Sequence, residues 1–138
     1  MKLLNTIFIL IVISSQLNAY TDFFNEGLVL FEKKEFEKAK FKFEQDIVFN
    51  PKSEKSYLYL SKIFNKQEKK DLEEQNLNTV ILLNPKSEEG YYYLAKLKLE
   101  KSDFSESIKI LDRLLAFCNK YCEKSKNLKI EVENSLKQ

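Results

Sequence analysis

The pentapeptide Asn-Pro-Lys-Ser-Glu occurs twice in this chain, at positions 50–54 and 84–88, so the two copies define a 34-residue period. Five identical residues at that spacing indicate an internal repeat, and a period of this length is typical of stacked helical units. The pentapeptide also predicts a joint, because proline cannot continue a preceding helix and the serine that follows can cap the next one. We therefore expect a repeating helical architecture.

The composition supports helices and argues against several classes of function. The chain has only 2 Gly and 2 Pro, too few for a β-rich fold with many tight turns. Its charged residues nearly cancel, at a net charge of +2, so we expect no nucleic-acid partner. The absence of His removes the commonest general base and metal ligand, so we expect no enzymatic activity, no cofactor and no metal.

Residues 1–19 have the layout of a secretory signal peptide. Lys2 is followed by an apolar run from Leu3 to Ile13, a more polar stretch and then Ala19, a small residue suited to cleavage before Tyr20. The apolar run is shorter than the ~20 residues that span a bilayer, which favours removal. We expect an exported protein, in the periplasm or at the cell surface. An uncleaved segment that anchors the chain is the alternative, and it is the only membrane contact that we expect.

Apolar and small residues recur at helical spacing in two runs per 34-residue unit. The predicted turns between the two runs of each unit are residues 33–35, 69–71 and 101–103. Each unit is therefore predicted to form two helices joined by a short polar turn, an αα-hairpin.

Aligned with one another, the units resemble the tetratricopeptide repeat family, whose helix–turn–helix unit is about 34 residues long. The shared positions are a first aromatic residue (Phe23, Tyr57, Tyr91), a small residue at the helix crossing (Gly27, Ser61, Ala95), a large residue (Leu30, Phe64), a small residue in the second helix (Ala39, Ser107), a large residue four later (Phe43, Leu77, Leu111) and a closing proline (Pro51, Pro85). Lys98, Glu73 and Asn119 depart from this pattern. The resemblance implies an all-α solenoid, an α-α superhelix of about three units at residues 20–53, 54–87 and 88–121.

Residues 122–138 are expected to form a capping helix, because a terminal repeat needs a cover for its apolar face. The amphipathic pattern of residues 120–138 places Tyr121, Leu128, Val132 and Leu136 on one face, with Ile130 off it. A partner-binding tail is the alternative interpretation.

Cys118 and Cys122 are the only cysteines. An oxidising compartment favours a disulfide. However, side chains four apart in a helix have Cβ atoms ~5–6 Å apart, further than a disulfide allows, so a bridge requires the helix to end or distort there. Without a proline at Asn119 the second helix of the third unit can also run on toward Tyr121. A bridge and free thiols both remain open.

The resemblance implies that the first helices of successive units line a groove that takes a peptide. The candidates for this groove are Phe24, Leu28, Phe31, Leu58, Lys62, Asn65, Tyr92, Lys96 and Leu99. Lys62 and Lys96 lie one repeat period apart, so they are predicted to share a side of neighbouring helices and to hold a carboxylate together. Packing between repeats is the alternative role for the apolar candidates. The carboxylate clamp of the chaperone-binding members is not expected, because Leu28, Tyr59 and Tyr93 stand where asparagine would be wanted.

The function expected from these features is non-enzymatic binding of a protein or peptide partner, in the cell envelope or the extracellular space. The alternative is a structural subunit that self-associates, or completes a larger assembly, through the ends of the solenoid.

Overall fold

The computed structural model describes residues 23–137, and within this range the secondary structure is entirely helical. The helices are α1 (Phe23–Glu32), α2 (Phe36–Phe49), α3 (Glu54–Lys66), α4 (Lys70–Leu83), α5 (Glu88–Glu100), α6 (Phe104–Leu115) and α7 (Cys122–Ser135). The chain divides into two compact units, Met1–Pro51 and Lys52–Gln138. The predicted signal peptide, residues 1–19, lies outside the described residues. No helix in the described range combines the length and apolar character that crossing a membrane requires.

In the first unit, α1 packs on α2 at a close crossing. A Cβ atom added at Gly27 would lie 2.7 Å from Cε1 of Phe43, so only glycine fits this approach without a shift. Phe43 and Ala39 are fully buried beneath α1. Phe24 packs on Phe43, with ring centroids 5.7 Å apart. The position predicted to be small at the helix crossing is therefore small for a steric reason.

The second unit contains α3 to α7, and buried side chains from all five helices form a hydrophobic core cluster. Its buried members are Leu58, Leu77, Val80, Tyr91, Leu94, Ala95, Leu97, Ile110, Leu111, Leu114, Leu128 and Val132. Hydrogen bonds also fix the close crossings, since the buried Ser107 donates from Oγ to the carbonyl oxygen of Ala95 at 2.8 Å. Glu74 of α4 binds Lys98 of α5 at 2.6 Å and Lys101, which directly follows α5, at 2.8 Å, and these contacts join one repeat to the next.

Each helical pair has a turn that contains one residue in the left-handed region. These residues are Lys34, Glu68 and Ser102, with φ of 61°, 57° and 59°, and they follow the same 34-residue period. The turn predicted at residues 69–71 is wrong, because α4 already begins at Lys70. The left-handed Glu68 places the turn at residues 67–69, before the predicted position. The backbone N–H of Lys69 then donates to the carbonyl oxygen of Phe64 at 2.9 Å.

The two pentapeptides end helices and also link one joint to the next. The Asn84 side chain donates to Glu54 Oε2 at 3.0 Å, which connects the second copy to the first. Glu88 takes the same role one repeat later, where its Oε2 accepts the backbone N–H groups of Lys120 and Tyr121 at 2.8 Å each. Ser53 and Ser87 stand at the predicted N-cap positions, but neither side chain accepts a hydrogen bond there. Ser53 instead donates to Ser56 Oγ at 3.1 Å.

The C-terminal helix α7 covers the last repeat with Ser125, Leu128 and Val132, which are buried. Ile130 is exposed, which agrees with the prediction that it lies outside the apolar face of α7. The prediction for Leu136 is wrong: it is 53% exposed, because α7 ends at Ser135 and Leu136 lies past the last helical turn.

Candidate functional site

The side chain of Lys62, on α3, reaches α5, and these are the first helices of the two repeats in the second unit. Its Nζ is 2.6 Å from Glu89 Oε1. The same ammonium group lies 4.6 Å from the ring centroid of Tyr59 and 5.5 Å from that of Tyr93. These three contacts, with two aromatic rings and a carboxylate, hold the ammonium group of Lys62 in one place.

Two more tyrosines extend this surface toward α7. Tyr92 packs on Tyr93 with ring centroids 5.6 Å apart, and on Tyr121 at 5.3 Å. The side chains of Tyr59, Tyr92, Tyr93 and Tyr121 are all partly exposed. We call these four tyrosines, together with Lys62 and Glu89, the tyrosine face.

Glu89 organises the charge of the tyrosine face. It receives the ammonium group of Lys62, and it lies close enough to Tyr121 for its negative charge to act on the phenol. Burial, followed by the nearby negative charge of Glu89, raises the pKa of Tyr121 to about 12. Tyr121 therefore keeps its proton at physiological pH and remains a hydrogen-bond donor.

Three predicted groove residues on α3 have different surroundings. Leu58 is 7% exposed and belongs to the core of the second unit. Lys62 is paired with Glu89, so its ammonium group already has a carboxylate partner within the chain. Asn65 is exposed, and its Nδ2 donates to both carboxylate oxygens of Glu73 at 3.2 Å.

The groove candidates on α5 share that helix with three members of the tyrosine face, Glu89, Tyr92 and Tyr93. Tyr92 is part of that face. Lys96 is half exposed at its side chain and sits 4.0 Å from Glu100 within α5. Leu99 is partly buried against the core.

The candidates in the first unit pack among phenylalanines. Phe24 contacts Phe43, and Phe31 lies edge-on to Phe36 with ring centroids 5.4 Å apart. Leu28 is partly buried. Their assignment to a groove stays a prediction.

Sequence reasoning missed four residues of the tyrosine face: Tyr59, Glu89, Tyr93 and Tyr121. Tyr59 and Tyr93 lie one repeat period apart, so the spacing that singled out Lys62 and Lys96 selects them as well. The residues one period before Glu89 and Tyr121 are Lys55 and Ser87, so the period does not select these two, and the packing of α5 and the loop after α6 brings them in.

Cys118 and Cys122 form a disulfide, with Cα atoms 5.3 Å apart. The geometric condition for the bridge is met because α6 ends at Leu115 and α7 begins at Cys122. The second helix of the third repeat does not run on to Tyr121. Within residues 23–137, no group of His, Cys, Asp and Glu side chains is arranged to hold a metal ion.

Helix pairs that recur at a fixed period, closed by a capping helix, define an α-helical repeat protein. The structure is similar to the TPR2B domain of yeast Sti1, solved as a pHsp70 complex, with a TM-score of 0.77, 16% identity, and coverage of 84% of this chain and 97% of that one. It is also similar to the first TPR of Spaghetti (RPAP3) bound to the HSP90 peptide SRMEEVD, with a TM-score of 0.77, 14% identity, and coverage of 84% and 91%.

A third similar structure is the Yersinia enterocolitica type III secretion chaperone SycD in complex with a peptide of the translocator YopD. The TM-score is 0.76 at 14% identity, and 86% of this chain and 95% of that one are covered. No family model matches the sequence, and no curated protein matches it significantly. The predicted fold class, an all-α solenoid of the tetratricopeptide repeat type, is thus confirmed.

Proposed function

We propose that this protein is a non-enzymatic module that binds a peptide segment of a protein partner on the tyrosine face. The observation that carries the proposal is the arrangement of four partly exposed tyrosines, from α3, α5 and the start of α7, around the Lys62–Glu89 pair. Three proteins with this fold were solved with a protein or peptide partner, which supports the same class of function here.

The chemistry of the tyrosine face suits peptide recognition. Tyrosine offers a large apolar ring and a hydroxyl group, and it loses little side-chain freedom on binding. Here the rings already pack on one another and on Lys62, so binding a peptide costs less side-chain entropy. Lys96 adds an exposed positive charge that can bind an acidic group of the partner. Lys62 already forms a salt bridge with Glu89.

The proposed place of action is the cell envelope or the extracellular space. Residues 1–19 support this assignment by their signal-peptide layout. Mass spectrometry of the exported protein should find an N-terminus at Tyr20. An N-terminus at Met1 in a membrane fraction would favour the anchored alternative.

Selection from a random peptide library displayed on phage tests the proposal directly. We expect peptides to be enriched on the purified protein, and we expect Tyr59→Ala or Tyr93→Ala to weaken the best of them by at least about tenfold, the usual loss at an aromatic anchor. Charge reversal at Lys62 is a poor test, since it would place a second carboxylate beside Glu89.

Two control variants lie on the second helices. Leu82→Ala removes a side chain that is 79% exposed on α4. Lys109→Glu reverses an exposed charge on α6. Neither change should alter binding, and circular dichroism should show unchanged helicity in every variant. Failure to enrich any peptide, or equal binding by both tyrosine variants, would overturn the proposal.

One observation favours the alternative of a self-associating subunit. Asn25, Glu26, Val29 and Leu30 line an open, largely apolar hollow of about 360 Å³ on α1, and Val29 is 49% exposed. Exposed apolar surface of this kind is a common feature of protein contacts. Sedimentation over a wide concentration range tests this alternative, because a self-associating subunit gains mass as the concentration rises, whereas a strict monomer excludes self-association.

A further inference from the structure

The loop between α6 and α7 brings one member of the tyrosine face into position. Residues 116–121 connect the two helices, and the disulfide between Cys118 and Cys122 closes the loop around Tyr121. Glu88 Oε2 accepts the backbone N–H groups of Lys120 and Tyr121 at 2.8 Å each. These hydrogen bonds hold the pKa of Glu88 below its usual range. The loop is thus fixed to the start of α5.

The other repeat joint in this unit needs no such bridge. At residues 84–88 the Asn-Pro pair ends α4, and proline prevents the helix from continuing. Residues 116–121 read Ala-Phe-Cys-Asn-Lys-Tyr and contain neither proline nor glycine. Local sequence therefore allows α6 to extend through this segment, and the disulfide takes the place of the missing proline.

A closed bridge and a continuous helix exclude each other at these two cysteines. Side chains four apart in a helix have Cβ atoms ~5–6 Å apart, whereas a disulfide requires about 3.5–4.5 Å. The bridge therefore favours the broken-helix arrangement, in which Tyr121 packs on Tyr92 at a ring-centroid distance of 5.3 Å and lies near Glu89. Both sulfur-bearing side chains are only partly buried, so a small reductant can reach them.

We propose that the Cys118–Cys122 disulfide is a redox control on the tyrosine face: its reduction releases Tyr121 and weakens the binding of the peptide partner. This inference rests on the peptide-binding function proposed above. The release is local, because Leu128 and Val132 stay buried and keep α7 on the last repeat. Binding weakens because Tyr121 must then be ordered again when the peptide binds.

The reaction is thiol–disulfide exchange with a dithiol reductant. A thiolate of the reductant attacks one sulfur, the protein S–S bond breaks, and a mixed disulfide forms. The second thiol of the reductant then displaces the protein sulfur. Two electrons and two protons pass to the protein, which ends with two thiols, and the reductant leaves as its own disulfide. An oxidising compartment keeps the bridge closed.

The test compares the oxidised and the dithiothreitol-reduced protein in two independent measurements. Hydrogen exchange of the Lys120 and Tyr121 amides should become at least about tenfold faster on reduction, since a mobile loop exposes them. The best peptide selected on the oxidised protein should bind roughly threefold to tenfold more weakly. The double variant Cys118→Ser/Cys122→Ser should match the reduced protein in both measurements and should not respond to dithiothreitol.

The outcomes separate the two proposals. Unchanged exchange at residues 120 and 121 after reduction overturns the redox control, whatever the peptide does. Faster exchange with equal peptide affinity also overturns it and leaves the peptide-binding function standing. If no peptide binds the oxidised protein, the peptide-binding function fails, and the control of binding fails with it. A loss of helicity in α7 on reduction would contradict local release, and circular dichroism together with exchange at Val132 measures this.

Discussion

Glu73 stands at the position in the second helix of its repeat where the other two repeats carry Ala39 and Ser107. It is 4% exposed, and both oxygens of its carboxylate accept from the side-chain amide of Asn65. Burial, opposed by that hydrogen bond, raises the pKa of Glu73 above its usual range. Burial of an ionised carboxylate is unfavourable, so the charged Glu73 lowers the free energy of unfolding at neutral pH.

We expect Glu73→Gln to raise the free energy of unfolding at pH 7 by roughly 1 kcal/mol, because it removes a buried charge and keeps an oxygen that can accept from Asn65. The folded state favours the protonated form of Glu73. Its contribution to stability is therefore complete below the unfolded-state pKa and is lost as pH rises through the higher folded-state pKa. The difference between the variant and the natural protein should accordingly shrink toward low pH.

Urea unfolding at several pH values measures this difference. Glu131→Gln, an exposed glutamate on α7, is the matched control and should show almost no change. If Glu73→Gln instead destabilises the protein at pH 7 by more than about 1 kcal/mol, the ionised carboxylate has a favourable partner that this account lacks.

At the scale of helices, the 34-residue period predicted most of the positions at which helices begin and end. The joints end α2 and α4, and helices begin at Glu54, Glu88 and Cys122, where the predicted segments start. The turn at residues 69–71 was misplaced because its charged residues resemble a turn, although the 34-residue period carries the turn at residues 33–35 to residues 67–69, around the left-handed Glu68. The pairing of Lys62 with Glu89 was also missed, since a contact between two helices depends on their packing and not on the period.

The crossing of α1 and α2 gives a prediction for one pair of helices. We expect Gly27→Ala to destabilise the first unit by about 1–3 kcal/mol, because the new methyl group would meet the fully buried ring of Phe43. Phe43→Leu in the same chain should restore part of this loss by making room, which a double-mutant cycle measures.

Asn25→Ala, on the exposed side of α1, serves as the control for Gly27→Ala. Hydrogen exchange should show the loss of protection within residues 23–51. Equal stability of Gly27→Ala and the natural protein would contradict the close crossing.

At the scale of the whole molecule, the sequence predicted a repeat fold and a binding role, but not the surface that we assign to binding. Lys62 and Lys96 were predicted to hold a carboxylate together, yet the structure pairs Lys62 with Glu89 and leaves Lys96 beside Glu100. The tyrosine face arises from three separate elements, and Tyr121 reaches it from the third joint, where Asn119 stands in place of proline and a disulfide closes the loop. A repeat period cannot predict a contribution from the place where the repeat ends.

The most direct test of the peptide-binding function is an NMR titration of the isotope-labelled, oxidised protein with the best peptide from the library. The account predicts that shift changes concentrate at Tyr59, Lys62, Tyr93 and Lys96 on α3 and α5, and at Tyr121. Residues on the exposed sides of α4 and α6, such as Leu82 and Lys109, should change little. Changes confined to α4 and α6, or to the hollow on α1, would contradict the assignment of the tyrosine face as the binding surface.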